Sequence, residues 1–298
     1  MTASRSRRLF ASLTACVLTS ECMGAGIGRA ISARAHELGA DLVGFVPAHL
    51  LRESPSRRTA AVRSGADSSQ ISRITDLEHS PYDIGDGWSA VVIALSHPAN
   101  RPEMDWFTSS GNTPGNASLI KTTSGLAAWL ERDQGCRTIP LHYYVEKGGI
   151  YLKDAAVDAG LGSIGRNNLL VTPDFGPRVR LRALMVNAVL TGTGPIEYDP
   201  CAGCAQHCRR ACPQLAFVDD SNDPSNDGAV RLPGRDDSYL RARCLVQMDR
   251  EWAALGSDAQ DATTLGMDAE AGSATGEHVV KHCRLCELAC PAGSTSCA

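Results

Sequence analysis

Residues 153–171 read KDAAVDAGLGSIGRNNLLV. Inside this stretch, Gly160-Leu161-Gly162-Ser163-Ile164-Gly165 matches G-x-G-x-x-G, the glycine pattern of a dinucleotide-binding turn. That turn needs a strand before the glycines and a helix after them, so that a pyrophosphate rests on the helix N-terminus. Here the order is reversed. YLKDAAVDAG (151–160) has the pattern of a short helix, and Leu169-Leu170-Val171 that of a strand. A Rossmann unit is therefore not expected. Gly160, Gly162 and Gly165 are read as places where the backbone turns tightly or passes close to a bulky ligand.

The flanking segments set the fold class. IGRAISARAHELG (27–39) carries apolar residues at helical spacing. LVGFVP (42–47) and SAVVIALSH (89–97) are short apolar runs bounded by turn residues, which marks buried strands. Residues 55–85 are polar and read as surface loops, and residues 100–116 as loop. SLIKTTSGLAAWLERD (118–133) is an amphipathic helix, and TIPLHYYV (138–145) reads as a strand. VRLRALMVNAVL (179–190) alternates and then turns apolar, as a half-buried strand does. Alternating strands and helices predict a layered α/β or α+β domain over 27–195. A second domain is expected over 196–298, with low-complexity inserts at 219–237 and 256–277 and a helix at 238–256 that carries Cys244.

The net charge of -4 gives no global drive toward nucleic acid or an anionic membrane. The basic residues are almost all Arg; Lys121, Lys147, Lys153 and Lys281 are the exceptions. No apolar run reaches the ~18 residues of a membrane span. Ser6-Arg7-Arg8-Leu9-Phe10 has the form of a twin-arginine export signal. The apolar stretch after it is short, Glu21 interrupts it, and no small-residue cleavage site follows. Residues 1–26 are expected to be a disordered extension or to precede the true start, for which Met23 is the candidate.

Twelve cysteines in a chain of this length, unevenly placed, point to metal rather than to a disulfide framework. Cys201, Cys204, Cys208 and Cys212 precede Pro213; Cys283, Cys286 and Cys290 precede Pro291. Zinc ribbons space two pairs of cysteines around a longer loop. Runs at intervals of three or four residues that close on Cys-Pro are the ferredoxin style of ligation. The first run has one extra residue between Cys204 and Cys208, which a bulged turn absorbs. In two-cluster ferredoxins the last cysteine of each run serves the other cluster, at the head of a helix that points away. The second run lacks a fourth ligand, and Cys244 is the candidate between the runs. The expected sets are Cys201, Cys204, Cys208 and Cys290 for one [4Fe-4S] cluster, and Cys212, Cys244, Cys283 and Cys286 for the other. Cys297 competes for a place, while Cys16, Cys22 and Cys136 read as small buried or unordered thiols.

The block at 153–184, the run CAGCAQHCRRACPQLAF (201–217), the isolated Cys244 and CRLCELACP (283–291) together resemble the epoxyqueuosine reductase family and its relatives, the corrinoid-dependent reductive dehalogenases. In order and spacing the similarity runs over roughly residues 27–293. The resemblance implies a nitroreductase-like domain that holds base-off cobalamin, followed by a ferredoxin-like domain with two [4Fe-4S] clusters that feed the cobalt. It implies reductive removal of an epoxide oxygen from a tRNA-bound nucleoside, or of a halide from an organohalide. The family's Asp proton donor falls on Glu146 when counted back without gaps from Gly165, and the dehalogenases' Tyr donor points to neighbouring Tyr144 or Tyr143. With the glycines, Arg166, Asn167 and Asn168 are candidate contacts for corrin amides or phosphate, or else cap local backbone. Ser163 replaces the family's usual aromatic residue, and Arg166 its Lys. The chain stops soon after Pro291, without the C-terminal segment and helical repeats by which some members grip tRNA. Low-potential clusters call for a ferredoxin or flavodoxin as electron donor, and their oxygen sensitivity for the cytoplasm. Two other readings compete: an electron-transfer protein that reduces a partner or its corrinoid, and a zinc-stabilised interaction module.

Overall fold

Leu42–Pro47 and Ser89–Ser96 pair antiparallel, with Val43 opposite Ile93 and Phe45 opposite Val91, and Ser89–Ser96 pairs on its other side with Val179–Val186. The computed structural model describes residues 20–58, 80–107, 112–217, 238–253 and 280–293, and only the backbone at 20–25, Glu146, Trp252 and Val280. Residues 1–19, both low-complexity inserts, Cys16 and Cys297 lie outside the described residues, as does the side chain of Cys22.

In chain order the elements are α1 (Ser20–Glu37), β1 (Leu42–Pro47), α2 (Ala48–Leu51), β2 (Ser89–Ser96), β3 (Trp106–Phe107), α3 (Pro114–Gln134), β4 (Thr138–Pro140), α4 (Leu152–Asp158), β5 (Ser163–Ile164), β6 (Leu170–Val171), β7 (Val179–Val186), α5 (His207–Arg210), α6 (Arg241–Ala253), β8 (Val280–Lys281) and α7 (Leu285–Leu288). The main sheet has the order β1-β2-β7-β4, and each neighbouring pair is antiparallel. Of the two fold classes expected, the pairing selects α+β. Among the described residues no helix is long and apolar enough to cross a membrane.

The period of two along β2 divides the core. Ala90, Val92 and Ala94 face Ala155, Ala156 and Ala159 of the α4 segment, while Val91 and Ile93 face Ile31 and Ala35 of α1 and Leu119, Leu126 and Leu130 of α3. Both faces are covered, so β2 reads as an unbroken apolar run. Each fully buried Leu or Ile contributes about 1.5–3 kcal/mol of transfer free energy.

Four expectations change. α3 starts at Pro114, four residues early, because Thr113 caps it by accepting the Asn116 amide at 3.2 Å and proline is favoured in the first turn. The supposed loop at 100–116 also contains a 3-10 turn at Pro102–Asp105 and strand β3, which pairs with β8. The strand expected over 138–145 ends at Pro140, which has no N–H to donate. The chain then turns, and Tyr143 and Tyr144 meet edge to face at 5.3 Å instead of alternating across a sheet. α1, moreover, already runs from Ser20, ahead of Met23.

The reversed order around the glycine pattern is as read: α4 precedes it and β6 follows. A Cβ on Gly162 would stand 2.2 Å from the Val171 carbonyl oxygen, so the glycine lets β5 and β6 close on each other.

Candidate functional site

α5 and α7 are single helical turns that pack side by side and bring the two cysteine runs together. The odd residue in the first run is absorbed at Gln206, whose φ of 58° places it in the left-handed region just before α5. Cys212 and Cys290 follow α5 and α7 instead of heading a helix, which corrects the expected geometry.

The thiols gather into two neighbourhoods. Burial pushes the Cys208 thiol up, and Cys290, Cys201 and Cys204 raise it further. Burial likewise raises Cys290, and Cys201 and Cys204 add to it, while Arg178 and a bond from the Ala292 amide oppose. In the second neighbourhood burial raises Cys283 and Cys286, and each also feels Cys244 and Cys212. Cys208 is buried and the other seven thiols are half-buried. Backbone amides point at two of the sulfurs: Arg166 N–H donates to Cys201 Sγ at 3.3 Å, and Ala216 N–H to Cys212 Sγ at 3.3 Å. Arg178 donates to the carbonyls of Cys290 (3.1 Å) and Ala292 (2.6 Å), tying the end of the second run to the sheet domain.

Among the described residues, no three His, Cys, Asp or Glu side chains are placed to chelate a single metal ion. A cubane, which carries its four thiolates on separate corners, asks for a wider arrangement. Burying four deprotonated thiols together without a cation raises each one's pKa by repulsion, and a cationic iron core removes that penalty. The donor set fits iron-sulfur chemistry.

A cavity of about 440 Å³ lies between the sheet domain and the cysteine module. Cys212, Cys244, Cys283 and Cys286 form part of its wall. Facing them are Lys153, Asn167 and Asn168, with Val145, Ile150 and Leu169 as apolar lining. Asn167 and Asn168 are 3% and 6% exposed, and Asn167 Nδ2 and Asn168 Oδ1 have no hydrogen-bond partner. Asn168 takes φ 56°, and its carbonyl accepts from Lys153 Nζ at 2.7 Å. Burial pushes the Lys153 ammonium down to about 8, with Arg241 acting in the same direction and Asp154 against it.

The other residues singled out from sequence fall elsewhere. Gly160, Gly162 and Gly165 meet the chain's own atoms, at Thr193, Val171 and Val171 respectively, and do not line the cavity. Arg166 turns its backbone N–H to the first quartet. Tyr144 is 39% exposed with Lys147 over its ring, while Tyr143 lines the cavity. Glu146 lies in a 3-10 turn, Val145–Lys147. Lys153 and Tyr239, which bonds Cys244, were not picked out from sequence. A lysine inside the quoted block of a chain that otherwise uses Arg was the available signal.

An antiparallel sheet covered by helices on both faces, two neighbourhoods of cysteine thiols, and a cavity whose wall includes four of those cysteines define the class. No protein-family profile matches the chain. It is 37% identical over 108 residues to the epoxyqueuosine reductase of Synechocystis sp., covering 35% of this chain and 36% of that one. It is 30% identical over 145 residues to the enzyme of Gloeobacter violaceus, covering 44% and 41%. It is 38% identical over 66 residues to the tetrachloroethene reductive dehalogenase of Sulfurospirillum multivorans, covering 22% and 13%. The matched stretches thus span less than half of these relatives' own length. The structure of epoxyqueuosine reductase from Streptococcus thermophilus superposes with TM-score 0.56 at 18% identity, covering 90% of this chain and 66% of that one. A structure of epoxyqueuosine reductase with an epoxyqueuosine-modified tRNA stem loop gives TM-score 0.58 at 18% identity, covering 91% and 66%. The chain has the fold of epoxyqueuosine reductase, and parts of its sequence are similar to epoxyqueuosine reductases and to a tetrachloroethene reductive dehalogenase.

Proposed function

We propose that this chain is an iron-sulfur reductase of the epoxyqueuosine reductase type, in which two [4Fe-4S] clusters pass electrons to a cobalamin in the cavity. Cys201, Cys204, Cys208 and Cys290 hold the outer cluster; Cys212, Cys244, Cys283 and Cys286 hold the one beside the cavity. The observation that carries this reading is the shared wall: one quartet lines the cavity directly, and the other continues from it through α5 and α7.

The cavity residues fit a corrinoid. Its rim is rich in amides, and two buried asparagine groups lack partners. Val145, Ile150 and Leu169 offer apolar contact. When bound, cobalamin supplies a low-potential cobalt centre for reductive removal of an oxygen or halide. The protein's own tasks are to exclude water, fix the ligand and hold a proton. Glu146, Tyr144 and Tyr143 are the proton-holding candidates at the turn after β4; Asn167 lines the cavity, while Arg166 is a candidate only through its backbone amide beside Cys201. The domain division at about residue 195 follows the same reading: a corrinoid domain before it, a ferredoxin-like domain after it.

Epoxyqueuosine reductase has been captured with an epoxyqueuosine-modified tRNA stem loop. Such a nucleoside is therefore the first substrate class to assay, and organohalides are the second. A ferredoxin or flavodoxin suits as electron donor. Metal analysis of anaerobically purified protein tests the whole. About eight irons per chain, with added cobalamin retained on gel filtration, is the expected result. Eight irons without corrinoid binding leaves an electron-transfer protein. Stoichiometric zinc in colourless protein overturns the reading.

A further inference from the structure

We propose that the Lys153, Asn167 and Asn168 wall of the cavity is an oxyanion site, built for the phosphate or carboxylate of a ligand that enters there. The proposal rests on the reading of this cavity as the reductase's working site and names a chemical class for what it takes.

Among the described residues Lys153 Nζ has one hydrogen-bond partner, the neutral carbonyl of Asn168 at 2.7 Å. Among the described residues no carboxylate pairs with it. Its neighbour Asp154 is engaged elsewhere, accepting from the Ser56 amide (2.9 Å), Ser56 Oγ (3.1 Å) and Ser54 Oγ (2.5 Å). Glu287, the acid nearer the cysteines, is paired with Arg284. Arg241 lines the same cavity and adds a second positive charge. Asp154 also lines the cavity, and its charge favours the ammonium from beyond ion-pair distance, but burial outweighs it. An ammonium desolvated beyond what its nearest carboxylate offsets is unfavourable, and each orphaned buried amide group costs about 1–3 kcal/mol. Three such costs at one wall of one cavity have a common remedy. An oxyanion accepts from the two N–H bonds left on Lys153 and from Asn167 Nδ2. The Asn168 amide can turn its NH₂ inward, since its two ends are assigned from the hydrogen-bond pattern. Neutral amides from a corrin rim would satisfy the asparagines but leave the ammonium unneutralised, so the charge points to an anion.

The test uses the full, iron-loaded chain under anaerobic conditions, with inorganic phosphate as probe and chloride at equal ionic strength as reference. Thermal unfolding of the wild type is expected to rise saturably with phosphate beyond chloride. Lys153→Met is expected to melt higher than wild type without phosphate, because an unpaired charge is gone. It is expected to bind phosphate about tenfold to a hundredfold more weakly, and Lys153→Arg to keep most of the effect. Asn167→Leu gives the same readout if Lys153→Met does not fold. Cobalamin and cobinamide, which lacks the nucleotide phosphodiester, separate the two sources of anion. Weakened cobalamin binding with unchanged cobinamide binding in Lys153→Met assigns the site to the cofactor's phosphodiester. A phosphate response that survives in cobalamin-loaded wild type assigns it to the substrate. Equal phosphate shifts in wild type and Lys153→Met, or no shift beyond chloride in wild type, overturn the proposal. Anaerobically purified protein that carries zinc in place of iron and still shows the phosphate effect would sink the reductase reading and leave this site standing.

Discussion

Asp105 shows how one side chain joins the sheet to the cysteine module. It is 3% exposed and accepts from His97, Arg180 and Arg284, the last at 2.5 Å. Arg284 lies between Cys283 and Cys286, and also donates to the His97 carbonyl at 2.9 Å. Burial alone would raise the Asp105 carboxyl, but the His97 hydrogen bond and the charges of Arg180 and Arg284 outweigh it and hold it below the usual range. Asp105→Asn takes the carboxylate from Arg180 and leaves Arg284 with Glu287 alone, and breaking such a network costs about 3–5 kcal/mol. Chemical denaturation at neutral pH is expected to show a loss of that size, together with faster iron loss from the cavity-side quartet. The sign of the pH dependence follows from the depressed carboxyl. Its stabilisation is full above the ordinary value of about 4, and is lost as pH falls through the lower folded value. The gap between wild type and Asp105→Asn is therefore expected to hold from neutral pH down to about 4 and to narrow below it. A gap that stays constant into acid would show that the carboxylate's charge is not what binds the module.

Among the elements, those with an unambiguous period were legible from sequence. LVGFVP and the start of VRLRALMVNAVL are strands because apolar residues pack on both sheet faces, and 118–133 is helical because its apolar stripe faces the sheet. The losses came where backbone chemistry, not periodicity, decides. Thr113-Pro114 moved a helix start, and Pro140 cut a strand short. The Thr172–Gly176 turn after β6 was also hidden, though it supports the end of the second cysteine run. Gly176 has φ 58°, and a Cβ there would stand 1.9 Å from the Ala292 carbonyl oxygen, two residues past Cys290. Gly176→Ala pays the left-handed penalty of about 1–2 kcal/mol and must push Ala292 away. It is expected to lower iron content at the quartet containing Cys290 and to lower the melting temperature. Gly135→Ala, at a helix end with φ 66° and nothing within 4 Å, pays the backbone penalty alone and is expected to keep its iron. Equal iron content in the two variants would count against the contact at Ala292 as a support for Cys290.

At the scale of the whole molecule, the grouping of the cysteines was legible and the cavity was not. Spacing and the Cys-Pro closures mark the two runs, and the thiols expected to share a cluster lie near one another although they come from both runs and from Cys244. The cavity is made where Lys153 and Asn167 meet Cys212 and Cys283 through tertiary contacts that no period records. The same holds for the pairing of β3 with β8, which returns the end of the chain to Trp106. Because Cys212 joins Cys283 and Cys286 while Cys290 returns to Cys201, each quartet draws on both runs, and the module has to assemble as one body. The two quartets are nevertheless unequal, since only one lines the cavity. Cys286→Ala and Cys204→Ala are each expected to retain about four of eight irons, but with different consequences. Losing the cavity-side cluster alters the wall itself, so Cys286→Ala is expected to weaken cobalamin binding as well as internal electron transfer. Losing the outer cluster leaves that wall intact, so Cys204→Ala is expected to bind cobalamin as wild type does while its reduction by an external donor slows. Iron analysis, electron paramagnetic resonance of the reduced protein and cobalamin titration read these outcomes separately. Loss of all iron in both variants would mean that the two clusters do not stand independently, and equal cobalamin binding in both would remove the cavity-side quartet from the binding wall.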